Sequence, residues 1–257
     1  MKIQGSNLLW HSLPPEKGPK VRRIILITQR EFASALAQKF QSVAPDLRIE
    51  FAWSLEEIVH AVDQQSKYTR IISFGSDIIV PADILNRLTS PAYNFHPGPP
   101  AYPGIFPSVF ALYDRAAQFG ITLHEMAPRI DSGAIVAVDT FSIPKEWDRL
   151  QLDTATFNSL QDLLSRTAPQ LAHIDEPLPT TSNTWTGALR TRKEFEDLCH
   201  LPENTSESEF ARRYRAIGEG PEHVLTMTRF GRVFRLMNIR NSAVVRGGQP
   251  TSALKTP

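Results

Sequence analysis

A single cysteine, Cys199, stands among 257 residues, so no internal disulfide can form and a reducing compartment, the cytoplasm, is expected. Long apolar runs are missing too. No stretch reaches transmembrane length and no secretory leader is read at the start, so no membrane partner is expected. Excess charge of either sign is absent, with 28 Lys+Arg against 27 Asp+Glu. Nucleic-acid binders ordinarily carry a basic domain or stripe, which argues against tRNA as a partner. Neither a glycine-rich dinucleotide loop nor a Gly-Lys-Ser/Thr motif occurs, and the early strand leads into Thr28-Gln29-Arg30-Glu31, so NAD is not expected. His60, His124, His173, His200 and His223 are scattered without ligand spacing, so no metal is expected; the role of His124 stays open.

What is present reads as an α/β chain. Hydrophobic content of 41% over this length supports one substantial core with a smaller appendage. Polar residues 1–20, with Pro14, Pro15, Gly18 and Pro19, read as an N-terminal arm. Ile24-Ile25-Leu26-Ile27 suits a strand buried on both faces within 21–29, followed by a helix over 30–43, a strand over 47–53, a helix over 55–64 and a strand over 70–74. Such alternation predicts a Rossmann-like, mostly parallel sheet. A strand from about Ala92, a helix over 105–118 and a hairpin of 120–126 with 134–141 complete a catalytic domain over 21–177, with a long helix over 154–171 that Pro169 bends or ends. Residues 178–245 read as a small extension of helices (193–199, 206–215) and a hairpin (225–237) that binds substrate or supports a homodimer; 246–257 read as a flexible tail.

Two short motifs carry the chemistry. Asn94-Phe95-His96-Pro97-Gly98 leaves a strand, and Asp131-Ser132-Gly133 sits in the hairpin that follows. Attack of an amine on a carbonyl creates an oxyanion and a cationic nitrogen together. Asn94 offers a neutral N–H to the oxyanion, a donor worth ~10²–10³ in rate. His96 exchanges a proton near its unperturbed pKa of about 6.5. Asp131 orients that imidazole or receives the amine proton through water. Read alone, Asn-x-His also fits an ordinary strand end, and Asp-Ser-Gly a plain turn.

Taken together, Tyr93-Asn94-Phe95-His96-Pro97-Gly98-Pro99-Pro100, Tyr102-Pro103-Gly104, Gly120-Ile121-Thr122-Leu123-His124 and Ile130-Asp131-Ser132-Gly133-Ala134-Ile135 resemble the signature of the 10-formyltetrahydrofolate-dependent formyltransferases in order and spacing. The resemblance is continuous from about Arg70 to Pro144, fainter over 21–67 and weak around 212–236. It implies that Asn94, His96 and Asp131 are catalytic and that 10-formyltetrahydrofolate is the co-substrate. Phe74, Gly75, Asp77, Ile78, Ile79, Val80 and Gly133 would then hold it, although a plain strand-to-helix connection with Pro81 in the first helical turn fits 74–81 as well.

Many family members continue with Ser-Leu-Leu-Pro and a later Arg-Gly where this chain has Gly98-Pro99-Pro100 and Pro103-Gly104. That loop looks closer to the nucleotide-linked amino-sugar N-formyltransferases of the GDP-perosamine type, as does Tyr214-Arg215-Ala216-Ile217. The expectation is therefore formyl transfer to an amino sugar for cell-surface polysaccharide (O-antigen), with Pro97, Gly98, Pro99, Tyr102, Arg192 and Arg215 contacting it. Basic residues on exposed helices also fit a solvated face. Methionyl-tRNA formyltransferase and a non-catalytic folate-binding module remain the alternatives.

Overall fold

The computed structural model describes residues 4–5, 21–218 and 224–237. Its centre is a seven-stranded sheet ordered β1-β7-β6-β5-β4-β2-β3. Strands β2 (Arg23–Thr28), β3 (Arg48–Ala52), β4 (Thr69–Phe74) and β5 (Tyr93–His96) run parallel; β6 (Gln118–Glu125), β7 (Ile135–Ser142) and β1 (Gln4–Gly5) extend the sheet antiparallel. Every residue of β2 and β4 is buried, as strands covered on both faces require; the apolar runs Ile24–Ile27 and Ile71-Ile72 form their centres, and Arg23 and Arg70 are buried at their starts. This is the mixed α/β, mostly parallel architecture expected. Of the expected N-terminal arm, β1 pairs with β7; the rest of that arm and the tail over 246–257 lie outside the described residues.

Helix α1 (Arg30–Val43) buries Leu36 and Phe40 at helical spacing, and α2 (Leu55–Gln64) buries Ile58, Ala61 and Val62 behind an N-cap in which Ser54 accepts from Glu57 N–H. Helix α5 (Arg149–His173) begins at a reciprocal capping box of Asp148 and Gln151. It runs past Pro169 to His173, so the proline does not end the helix as one of the two expected outcomes had it. Leu160, Leu163, Leu164, Ala168 and Leu171 bury its apolar stripe with α1 and the sheet, and that packing carries the helix across the missing N–H. The short helix α3 (Ala82–Leu85) follows Pro81, which is its N-cap.

The helix expected over 105–118 is corrected to α4 (Pro107–Tyr113). Phe106 holds φ 48 and Arg115 φ 56, left-handed values that stop a helix at either end, while Gln118 already belongs to β6. Beyond α5, helices α6 (Arg192–Cys199) and α7 (Glu207–Ile217) join a small sheet of β8 (His200–Leu201), β9 (Thr226–Arg229) and β10 (Arg232–Arg235). Phe195, Leu198, Ala216 and Ile217 share a hydrophobic cluster with Val109 and Leu112 of α4, Phe119 at the start of β6 and Leu152 of α5, so this region packs directly on the catalytic domain.

Arg70 closes the far end of the core. Its guanidinium donates to Pro91 O (2.9 Å), Leu171 O (2.7 Å) and Glu176 O (3.4 Å), and lies 5.1 Å from the Tyr93 ring centroid. Burial pushes its pKa down to about 10. Arg70→Ala orphans three carbonyls and empties a cavity, and should lower the unfolding free energy by about 3 kcal/mol or more. A fall in the urea midpoint at unchanged slope would show it.

Candidate active site

The parallel strands end together at one edge of the sheet, where α/β proteins gather ligands. Asn94 pairs with His124 across β5 and β6, and His96 with Thr122. Alternation along each strand puts all four side chains on one face. Asp131 arrives from the β6–β7 connection at φ 43, a left-handed conformation that a short polar side chain tolerates. Gly133 fits only without a side chain, because a Cβ there would stand 1.8 Å from Glu125 O.

These placements assemble one cluster. Asp131 Oδ2 lies 3.3 Å from His96 Nδ1 and accepts from Gly104 N–H at 2.7 Å, while Oδ1 lies 3.3 Å from His124 Nε2. Asn94 Nδ2 is 3.2 Å from that same His124 nitrogen. The far ring nitrogens face carbonyls: His96 Nε2 meets Tyr102 O at 3.0 Å and His124 Nδ1 meets Glu125 O at 2.8 Å. A ring nitrogen opposite a carbonyl must carry its proton. Each imidazole therefore turns its second nitrogen to the carboxylate, and a proton placed on either one becomes a donor to Asp131.

Burial holds the His96 pKa below the ordinary imidazole value, with Asp131 pulling it partly back. For Asp131 burial pushes upward but is outweighed by the His124 hydrogen bond, the His96 charge and the Gly104 N–H, so its pKa falls below the usual carboxylate range. Asp131 is ionised and His96 neutral at pH 7. Both folded-state values lie below the unfolded ones, so the unfolded chain binds more protons in acid. Stability is lost as pH falls below the ordinary imidazole range, and further below the carboxylate range.

The cluster opens on a cavity of about 760 Å³ lined by Asn94, His96, His124 and Asp131 together with Gly75, Asp77, Ile78, Ile79 and Val80. A second cavity of about 520 Å³ adjoins it, sharing Gln29, Gly75, Pro97, Phe106 and Pro107 and adding Phe32, Phe74, Phe157 and Arg149. Arg192 lines the larger cavity. Gly98, Pro99, Tyr102, Gly133 and Arg215 line neither. Gly98 O accepts from Thr122 Oγ1 at 2.8 Å, Pro99 O accepts from Tyr102 N–H at 2.9 Å, and Tyr102 contributes its carbonyl to His96. Arg215 donates to Trp147 O (2.8 Å) and Pro144 O (3.5 Å), which fastens α7 to the loop after β7. Residue order alone leaves the role of His124 open and gives none to Trp185, whose ring meets both imidazoles.

A Mycobacterium tuberculosis protein named dTDP-4-amino-4,6-dideoxyglucose formyltransferase is 27% identical over 215 residues, covering 76% of this chain and 86% of that one. The fold is that of a sugar N-formyltransferase from Shewanella (TM-score 0.64, 21% identity, 83% of this chain and 95% of that one). It is shared with the Helicobacter canadensis N-formyltransferase solved with folinic acid and dTDP-3-aminofucose (TM-score 0.57, 16% identity, 82% and 85%). Residues 16–167, more than half of the chain and the whole stretch from β2 through most of α5, match the formyl transferase family, and the chain belongs to it.

Proposed function

We propose that the protein transfers a formyl group from 10-formyltetrahydrofolate to the primary amine of a nucleotide-linked amino sugar, within cell-surface polysaccharide synthesis. One observation carries the reading: in a chain of this family, the amide of Asn94 and the Asp131 carboxylate between two imidazoles face a single cavity.

The cavity suits the folate. Its volume of about 760 Å³ falls within the small-molecule range. Asp77–Val80 runs in neither helix nor strand, leaving peptide N–H and C=O groups for the edge of a flat heterocycle, and Ile79 is 59% exposed at its lip. When bound, the folate supplies an activated formyl carbonyl. Asn94 donates an N–H to the negative charge growing on a carbonyl oxygen, His96 holds its neutral ring beside it, and Asp131 with its imidazoles receives the proton released by the amine.

The adjoining cavity of about 520 Å³ is assigned to the acceptor, with phenylalanine walls for a deoxy sugar or base. The name of the mycobacterial relative points to a 4-amino-4,6-dideoxy sugar on dTDP, whereas the Gly98-Pro99-Pro100 loop points to GDP-perosamine. Absorbance-monitored loss of 10-formyltetrahydrofolate should occur with one of these amino sugars and not without an amine. Turnover with initiator tRNA alone, or folate binding with no consumption across the panel, would overturn the reading.

A further inference from the structure

Residues 178–191 form a strap laid across the site. Thr186 N–H and Gly187 N–H donate to Pro100 O (3.0 and 3.3 Å), Arg190 N–H to Pro103 O (2.9 Å), and Ile105 N–H to Arg190 O (3.2 Å). Gly104 and Arg190 make a parallel bridge so close that a Cβ on Gly104 would stand 2.3 Å from Arg190 O. Gly104, with φ +97, is the residue whose N–H holds Asp131. The strap thus reaches the carboxylate once through the backbone beside Arg190.

It reaches the carboxylate again through Trp185. The indole Nε1–H donates to Gly133 O at 2.9 Å, two residues beyond Asp131 in the same turn. Its ring meets His96 edge-on (5.6 Å, 73°) and His124 perpendicular (5.0 Å, 90°). A turn whose Asp sits at positive φ needs anchoring if both carboxylate oxygens are to keep their places against the two imidazoles and the Gly104 N–H. Edge-on ring contacts fix the imidazole planes and keep water from them.

We propose that Trp185 is a positioning residue: by pinning the Asp131 turn through Gly133 and bracing both imidazoles, it sets the protonation and the reactivity of the catalytic carboxylate. This rests on the formyl-transfer reading for its effect on rate, but its effect on protonation needs no substrate. The groups facing Asp131 are His96 from β5, His124 from β6 and the Gly104 N–H, with Arg129 and Arg192 elsewhere on the cavity wall.

Trp185→Phe keeps a ring and deletes the N–H; Trp185→Tyr is the second ring-bearing variant should Phe fold poorly, as judged by circular dichroism. The ¹³C carboxyl resonance of Asp131, assigned by its loss in Asp131→Asn, is followed against pH in the parent and variant without ligand. Loosened donors should raise its titration midpoint by about one unit. In the assay kcat should fall about tenfold, with both KM values within about twofold. A lower melting temperature with an unmoved midpoint would mean a structural role only and overturns the proposal. A raised midpoint in a protein whose parent formylates nothing would overturn the proposed function and leave the positioning role standing.

Discussion

Asp131→Asn is expected to lower kcat by about 10³-fold while leaving the protein folded. The carboxylate accepts from Gly104 N–H and lies 3.3 Å from a ring nitrogen of both His96 and His124, and an amide of the same shape offers one oxygen and turns an NH₂ toward the rest. It can neither take a proton from the amine nor stabilise charge on an imidazole. The pH profile gives a second signature. In the parent, activity should fall once His96 becomes protonated, below the ordinary imidazole value, because burial lowers its pKa while Asp131 opposes that shift. Removing the charge of Asp131 removes the opposing influence, so the acid limb of the residual activity should move to lower pH. Stopped-flow or steady-state rates across pH 5–8 check both points.

Asn94→Ala should lower kcat by about 10²–10³-fold, equivalent to about 2.7–4 kcal/mol of transition-state stabilisation. Its Nδ2 sits 3.2 Å from His124 Nε2 and its side chain lines the larger cavity, so the second N–H of the amide remains available to a carbonyl oxygen. Charge develops on that oxygen only along the reaction. The loss should therefore appear equally in kcat and kcat/KM, with KM little changed. A fall confined to KM would reassign Asn94 to ground-state binding.

These expectations began as readings of residue order, and the parts that were legible share a physical cause. Helices α1 and α2 begin and end where read because amphipathic spacing and the Ser54 cap are local signals. Asn94 and His96 fall on one face because two-residue alternation follows from a strand alone. The joining of Asp131 to them follows from the β6–β7 hairpin. What the residue order did not disclose depends on register and on which way a helix faces. His124 enters the cluster only because β5 and β6 pair with Asn94 opposite it. Arg215 looked like a phosphate ligand in an arginine-rich stretch, yet α7 turns it toward the carbonyls of Trp147 and Pro144. The late start and early stop of α4 arise from left-handed backbone at Phe106 and Arg115, bulky residues for which no local rule anticipates that conformation. The contact of Trp185 with both imidazoles needs the strap to cross the site, a long-range event with no local trace.

The most direct measurement is a crystal structure of the protein with a stable formylated folate analogue and the amino-sugar nucleotide that supports turnover. The account predicts the formyl oxygen within about 3 Å of Asn94 Nδ2 and the sugar amine within hydrogen-bond reach of Asp131, directly or through one water. A formyl group bound away from Asn94, or an acceptor amine on the side of the folate remote from Asp131, would contradict it.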